Sequence, residues 1–289
     1  MNVKESTNTT WLFEITPKNK FFSLHLKEVW VYRDLLFLFV KRDIVTVYKQ
    51  TILGPLWYFI QPLLTSLTFT IVFNNLAGIS TGSVPPFLFN LASVTVWNYF
   101  TACLNGTSNT FAINAGIFGK VYFPRIIAPL TVVLSNLIKF FIQLFIFLCF
   151  FIYYYSQDAL VSFNLWTFFF PCIIVLLGVL GLGFGMIISA LVTKYRDLTY
   201  LIGFGIQLLM YISAVFFPLD LIAVKMPKYA WLVQYNPLAY CIEATRYMLL
   251  STGAFPFWGI VYTLFFSIAV LLVGLLLFNH TEKKFIDTV

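Results

Sequence analysis

Three ionisable side chains lie where charge is unusual in this sequence. Lys139 interrupts a long apolar stretch, and Glu243 and Arg246 stand three residues apart in another largely apolar region. A charge at membrane depth costs at least about 2.5 kcal/mol, so Lys139 is predicted to face a bundle interior or a cavity, or to extend toward lipid headgroups. Residues spaced i,i+3 share a helix face, so Glu243 and Arg246 can stabilise a gate or form a weak solvated pair.

The remaining reactive residue types form no catalytic or metal-binding pattern. His25 and His280 have no suitable partner nearby, and no cysteine pair has the spacing of a metal site or a disulfide framework. A glycine run in an apolar segment lacks the lysine of a phosphate-binding loop, which favours close helix packing instead. We therefore predict a protein that is not an enzyme, binds no metal and hydrolyses no nucleotide itself. The cysteines and glycines concerned are Cys103, Cys149, Cys172, Cys241, Gly178, Gly181, Gly183 and Gly185.

Aromatic residues make up 20% of the chain. Belts at the two membrane interfaces explain some of them, such as Trp97, but not those deep in the spans. Sugar rings present apolar C–H faces that stack on aromatic planes, and Tyr and Trp add hydrogen bonds. We therefore predict an aromatic-lined passage for a glycan, with packing against lipid or protein as the alternative at each position. The predicted lining residues are Trp57, Tyr58, Gln61, Tyr200, Phe204, Tyr211 and Phe216.

The composition places these residues in a membrane protein. Of 289 residues, 60% are hydrophobic and only 10% charged, with mean hydropathy +0.88. No charged residue occurs from Gln50 to Gly119, a run of 70 residues, whereas about 20 helical residues cross a bilayer. The segments are apolar all round, which argues against a membrane β-barrel, whose strands alternate polar and apolar residues. The fold class is therefore an all-α polytopic membrane protein.

Charges and turn residues divide the chain into elements. Residues 1–20 read as a polar cytoplasmic tail without a cleavable signal peptide, and residues 280–289 as a second tail. Charge clusters recurring every 6–8 residues predict an amphipathic interface helix over 21–50, with an ordinary cytosolic helix as the alternative. Residues 51–279 form a six-span transmembrane domain. The predicted spans are Leu56–Leu76, Phe87–Thr110, Ile127–Tyr154, Leu165–Leu191, Leu198–Phe217 and Phe257–Phe278.

The basic residues orient this arrangement. With six spans, fourteen of the 18 Lys and Arg residues fall on the side of the termini, and three fall on the other. Basic residues accumulate on the cytoplasmic side, so both termini are predicted to be cytoplasmic. The net charge of +7 is explained by this topology, and no dense basic stripe points to nucleic acid.

The segment 220–256 is too long and too apolar for a structureless external loop. Two short helices hinged at Asn236–Pro237 and re-entering the outer leaflet fit better. Irregular backbone at that depth is tolerated only inside protein or beside a water-filled cavity, so we predict a pair of external gate helices. The predicted gate residues are Asn236, Pro237, Tyr240, Glu243 and Arg246.

Three stretches resemble permease subunits of polysaccharide ABC exporters of the Wzm and TagG type, which move O-antigen or teichoic acid chains. They are Tyr48–Leu63 (YKQTILGPLWYFIQPL), Asn114–Arg125 (NAGIFGKVYFPR) and Tyr235–Leu238 (YNPL), and the likeness covers residues 25–285. Drug and capsule exporters share this layout.

The resemblance implies partners and roles that composition cannot supply. The assembly would contain a second copy of the chain and two nucleotide-binding ATPase subunits, which carry the ATP and Mg²⁺. The substrate would be an undecaprenyl-pyrophosphate-linked glycan, with Lys41, Arg42 and Lys49 as candidates for its headgroup. Segment 114–125 would couple to the ATPase through Asn114, Ile117, Phe118, Gly119, Lys120, Tyr122, Phe123, Pro124 and Arg125.

We therefore expect an O-antigen exporter permease of the bacterial inner membrane that binds no cofactor itself. Alternatives are an ABC exporter of teichoic acid, capsule, drug or lipid, and, from another class, a polytopic glycan-modifying enzyme. Such an enzyme would show external carboxylates or an arginine–histidine cluster, and the outer side offers few charged residues of any kind.

Overall fold

The structure is a computed structural model that describes residues 26–49, 54–118, 120–121, 123–157, 159, 161–162, 164–195, 197–225 and 227–286. All regular structure in these ranges is helical. The α-helices are α1 Leu26–Val31, α2 Arg33–Lys49, α3 Trp57–Phe69, α4 Pro86–Ser108, α5 Thr110–Phe118, α6 Ile127–Ser156, α7 Phe170–Lys194, α8 Leu198–Ile212, α9 Leu219–Lys225, α10 Ala230–Gln234, α11 Pro237–Leu250 and α12 Phe257–Ile286. Shorter helical pieces are the 3₁₀ turns Gly54–Leu56, Leu165–Phe169 and Pro227–Tyr229, and the π-helix Thr70–Leu76 that continues α3.

Five helical stretches in the described ranges are long and apolar enough to cross a membrane. They correspond to predicted spans one, two, three, four and six, so the all-helical membrane class is confirmed. Their bounds are Trp57–Leu76, Pro86–Ser108, Ile127–Ser156, Leu165–Lys194 and Phe257–Glu282.

The predicted fifth span, Leu198–Phe217, differs from the structure. Its helix, α8, stops at Ile212 after 15 residues, about 22 Å of rise and short of a bilayer core. The chain then turns through residues 213–217, where Ala214 has a positive φ of 55°. Helix α8 is therefore five residues shorter than the predicted span, because the chain forms a buried turn over 213–217.

Helix α7 is the centre of the bundle, since it packs against α4 on one side and α12 on the other. The glycine run allows both approaches. A Cβ added at Gly181 would lie 2.7 Å from Cys103 Cβ of α4, and one at Gly183 would lie 2.9 Å from the backbone nitrogen of Leu271 in α12. The prediction that these glycines pack helices closely is confirmed.

The interface region is helical where it is described. Helices α1 and α2 cover 26–49 with one break at Tyr32, while residues 21–25 and 50 of the predicted helix lie outside the described residues. Helix α2 packs against α6 and leaves Phe37 and Leu38 exposed. The described part of this segment thus has one face on the bundle and another open.

The segment 220–256 contains more helical pieces than predicted. Helices α9, α10 and α11 are connected by short turns, and α10 and α11 meet at the predicted hinge Asn236–Pro237. Helix α11 packs on α4 and α12, so it belongs to the bundle core.

Candidate functional site

Arg246 of α11 is fully buried and holds the turn that ends α8. Its guanidinium donates hydrogen bonds to the backbone oxygens of Ala214 at 2.8 Å, Val215 at 2.6 Å and Phe217 at 2.9 Å. Its Nε donates to Ser93 Oγ of α4 at 2.8 Å. Five donors in a rigid fork suit a site with several acceptors. The arginine therefore connects three separate parts of the chain.

The predicted Glu243–Arg246 pair is present inside the protein, not on a solvated face. Arg246 Nη1 lies 3.2 Å from Glu243 Oε2, and the guanidinium carbon stands 3.9 Å from the ring centroid of Phe89. Both charged side chains are buried. Burying two charges is costly unless pairing and further hydrogen bonds satisfy them, and the bonds of Arg246 meet that requirement.

The hinge residues join the same region. Asn236 caps α11 by accepting a hydrogen bond from the Leu238 N–H at 3.0 Å, and its Nδ2 donates to Ser213 Oγ at 2.9 Å. Tyr240 donates from its hydroxyl to the Gln234 oxygen at 2.6 Å, and Pro237 is buried at the start of the helix. The five predicted gate residues therefore lie on α11 and its cap.

The predicted coupling segment, residues 114–125, has an inward side built from aromatic residues. Phe118 and Phe123 are buried with ring centroids 5.7 Å apart, and Phe111, which precedes the segment in α5, stacks on Phe278 of α12 at 4.6 Å. Arg125 Cζ stands 5.2 Å from the centroid of the Phe118 ring. These side chains fasten the segment to the bundle.

Arg125, one of the predicted coupling residues, is buried against the end of α12. Its Nη1 donates to the Glu282 backbone oxygen at 3.0 Å, and its Nε lies 3.7 Å from Glu282 Oε1. Burial lowers the pKa of the Arg125 guanidinium, while the charge of Glu282 raises it. Arg125 therefore positions the segment within this chain.

The outward side of the segment carries different residues. Lys120 and Val121 are exposed, and so is Ile113, which immediately precedes the segment and has 69% of its maximal exposure. Ile117 and Pro124 are half-buried, whereas Asn114 is buried and donates from Nδ2 to the Thr110 oxygen at 3.0 Å. The predicted residues Gly119 and Tyr122 lie outside the described residues.

The predicted headgroup residues Lys41, Arg42 and Lys49 all lie exposed on α2. Arg42 is paired with its neighbour, since Nε and Nη2 lie 2.9 and 2.8 Å from Asp43 Oδ1. Its guanidinium also stands 4.7 Å from the centroid of the Phe39 ring. Part of its charge is therefore neutralised within α2.

The predicted glycan-path residues divide into three groups. Tyr200, Phe204 and Tyr211 are exposed along α8, as is Trp57 at the start of α3. Phe216 is buried in the turn after α8 and stacks on Phe73 with centroids 4.2 Å apart. In a single chain, Phe216 is therefore packed in the core, where its ring also contacts Tyr211 at the end of the exposed stripe on α8, with centroids 5.3 Å apart.

The other two path residues, Tyr58 and Gln61, line a polar cleft together with Lys139. This cleft lies among α2, α3, α4 and α6, in two adjoining parts of about 210 and 670 Å³. Lys139 Nζ donates to Asn136 Oδ1 at 2.9 Å and lies 5.5 Å from the Tyr58 ring centroid. The prediction that Lys139 faces a cavity is confirmed.

Sequence reasoning missed the polar neighbours of Lys139. Asn98 and Gln143 approach each other across the cleft, with Asn98 Nδ2 3.5 Å from Gln143 Oε1. The sequence signal for these neighbours is the set of Asn and Gln residues inside the apolar spans. An unpaired amide in hydrocarbon is costly, so such residues are expected to face one another or a cavity. Within the described ranges, no group of three or more His, Cys, Asp or Glu side chains is placed to hold a metal.

Comparison with known proteins identifies similar chains. The family model described as "ABC-2 type transporter" matches residues 34–250. The O-antigen export system permease protein RfbA of Klebsiella pneumoniae is 27% identical over 255 residues, which cover 88% of this chain and 94% of that protein. A protein of the same name from Myxococcus xanthus is 25% identical over 198 residues, covering 68% of this chain and 73% of its own.

Proposed function

The chain belongs to the ABC-2 type transporter family, and we propose that it exports a lipid-linked O-antigen polysaccharide across the bacterial inner membrane. Similarity over 94% of the length of a Klebsiella O-antigen export permease carries this proposal. The chain would be the membrane permease subunit, and a separate ATPase subunit would hold ATP and Mg²⁺.

In the proposed topology, six segments cross the membrane and both termini are cytoplasmic. Helix α8 would cross with the turn 213–217, which is buried in protein and therefore tolerated at membrane depth. Helices α9, α10 and α11 would form the external gate and re-enter the outer leaflet. The distribution of Lys and Arg supports this orientation.

The ATPase would bind the outward side of segment 114–125. Val121 and the adjoining Ile113 of α5 offer exposed apolar surface, and Lys120 adds a positive charge that suits an acidic cleft. Two copies of the chain and two ATPase subunits would form the transporter. The aromatic packing on the inward side would keep the segment rigid when the ATPase moves it.

Helix α12 would carry that motion from the cytoplasmic side to the gate. It contacts segment 114–125 through Glu282 at one end, and it contacts α11 through Thr263 Oγ1, which lies 3.2 Å from the Pro237 oxygen. Its 30 residues make a rod of about 45 Å. A shift of the coupling segment would thus displace the residues that hold the gate.

The exposed aromatic stripe on α8 would line the glycan path where two copies meet. Tyr200, Phe204 and Tyr211 present rings that can stack on sugars without forming a deep binding site. Lys41, Arg42 and Lys49 would attract the pyrophosphate of the carrier lipid as the substrate approaches α2.

Gene deletion tests the transport function. Cells lacking the protein should lose surface O-antigen and accumulate the lipid-linked polymer inside, with both effects reversed by the intact gene. Normal surface O-antigen without the gene would refute the proposed substrate.

Ile113→Ser tests the coupling surface. The substitution removes an exposed apolar side chain, so folding should persist while permease-dependent ATPase activity falls several-fold. Tyr195→Ser, which also alters an exposed side chain after α7, serves as the matched control. Equal ATPase activity in both variants would exclude Ile113 from the interface.

A further inference from the structure

The polar cleft around Lys139 is a built feature of the bundle. Its outer part is lined from α2 by Arg42, Asp43 and Thr46, and its inner part by Tyr58 and Gln61 of α3. The two parts share three lining residues, so they adjoin each other at Lys139. The shared residues are Ala102, Asn136 and Lys139.

Lys139 lies deep along this space. It is twelve residues after Ile127, the first residue of α6, which places it about 18 Å along the helix. An ammonium group has three N–H donors. Among the described residues, Asn136 Oδ1 accepts one of them, so the group keeps capacity for an oxygen-rich ligand.

Other polar groups face the same space with capacity to spare. Ser135 Oγ is buried and has no hydrogen-bond partner within the described part of the chain, although it lines the cleft. Asn136 and Gln143 are also buried in its wall. Buried polar groups are normally satisfied by protein, water or ligand, so this wall suits a hydrogen-bonding occupant.

The charges of the cleft favour an anion. Arg42 and Lys139 supply two positive charges and Asp43 one negative charge, so the lining is net positive. Lysine is a compact cation that binds phosphate as a point charge. Neutralising Lys139 with an anion would also offset the cost of a lone charge at membrane depth.

We propose that this cleft binds a lipid phosphate group, with Lys139 as its principal cation and Asn136 and Ser135 as hydrogen-bonding neighbours. The phosphate can belong to the pyrophosphate carrier of a glycan or to a bilayer phospholipid. The first source rests on the proposed function, and phosphate binding itself does not. Lys139 lies deeper in the bundle than the exposed cations of α2, so an approaching lipid headgroup would meet the α2 cations first.

Binding to the purified full-length chain in neutral detergent tests the proposal without the ATPase. Polyprenyl pyrophosphate and phosphatidylglycerol are the lipid probes, inorganic pyrophosphate is the lipid-free probe, and polyprenol is the phosphate-free control. Native mass spectrometry reports binding. Lys139→Gln should raise the Kd of the phosphate-bearing lipids about tenfold or more, and Lys139→Arg should restore part of the affinity.

Two further variants separate binding from folding. Asn136→Asp places a carboxylate of nearly identical shape beside the ammonium, so it should keep Lys139 paired while repelling phosphate. Lys194→Gln removes an exposed lysine outside the cleft and should bind as the wild type does.

Tighter binding of polyprenyl pyrophosphate identifies the carrier as the source, and equal or tighter binding of phosphatidylglycerol identifies a bilayer lipid. Binding of inorganic pyrophosphate without binding of either phosphate-bearing lipid would overturn the proposal, because the occupant would then be a free phosphate. Polyprenol binding as tightly as its pyrophosphate, or unchanged affinity in Lys139→Gln and Asn136→Asp, would overturn the proposal. Because no transport is measured, a failed export experiment would leave this result standing.

Discussion

Replacing Arg246 with methionine should destabilise the protein more than any other removal of a single charge discussed above. The substitution deletes the donors to Ala214, Val215 and Phe217 and leaves Glu243 buried without its cation. Methionine fills a similar volume, so the effect reports lost polar contacts with little change in packing.

The magnitude follows from burial. Removing one partner of a buried ion pair costs about 3–5 kcal/mol. A protein of this class has about 5–15 kcal/mol of total stability, so the change is a large fraction of it. For a chain of this size the melting temperature should fall by roughly 10 °C.

Thermal unfolding of the purified protein in one detergent, followed by intrinsic tryptophan fluorescence, measures this effect. Arg246→Lys should recover part of the loss, because lysine keeps the charge but lacks the planar fork that reaches several acceptors. Glu243→Gln combined with Arg246→Met should be less destabilised than Arg246→Met alone, since no uncompensated charge remains buried.

Arg33→Met is the matched control. Arg33 lies 3.9 Å from Asp34 in an exposed pair, and such pairs contribute little, so its melting temperature should stay within a degree or two of the wild type. If Arg246→Met melts as Arg33→Met does, the buried arginine does not hold the turn after α8 and the reasoning fails.

Two other substitutions, each with its own comparison variant, test the α7–α12 packing and the cap of α11 by the same thermal assay. Gly183→Ala should lower the free energy of unfolding by about 1–3 kcal/mol, because its Cβ would meet the Leu271 backbone at 2.9 Å. In the control Gly203→Ala the new Cβ meets nothing within 4 Å, so the protein should not be destabilised. Equal melting temperatures of the two variants would contradict the close α7–α12 contact. Asn236→Ala should cost about 1–2 kcal/mol by removing the α11 cap and the bond to Ser213, and Asn236→Asp, which keeps the capping oxygen, should recover part of it; no loss in Asn236→Ala would rule out the cap.

The glycine run and Lys139 show what a local sequence pattern can predict about the fold. A charge in an apolar segment is expensive wherever the segment folds, so a cavity for Lys139 could be predicted. Small residues at helical spacing predict close packing, because only they let backbones approach. The partners in each contact, Asn136 for the lysine and Leu271 for Gly183, required the folded chain.

Segment 114–125 shows why residue type alone does not reveal where a residue lies in the fold. Arg125 and Lys120 are both basic and five residues apart, so sequence alone treats them alike. The end of α12 lies beside Arg125 and supplies Glu282, while Lys120 remains exposed. A contact between residues 157 positions apart has no local signal.

The sequence by itself determined the membrane class and the approximate bounds of five spans, since the cost of charge and of unpaired backbone in lipid depends on composition and order alone. The distribution of Lys and Arg also predicts their orientation. Tertiary structure decided where α8 ends and which charges are buried. Arg246 can be buried because α4, α11 and the turn 213–217 meet around it. This brings acceptors from distant parts of the chain within 3 Å of its guanidinium. Hydrogen bonds act over such short distances that they depend on the completed fold.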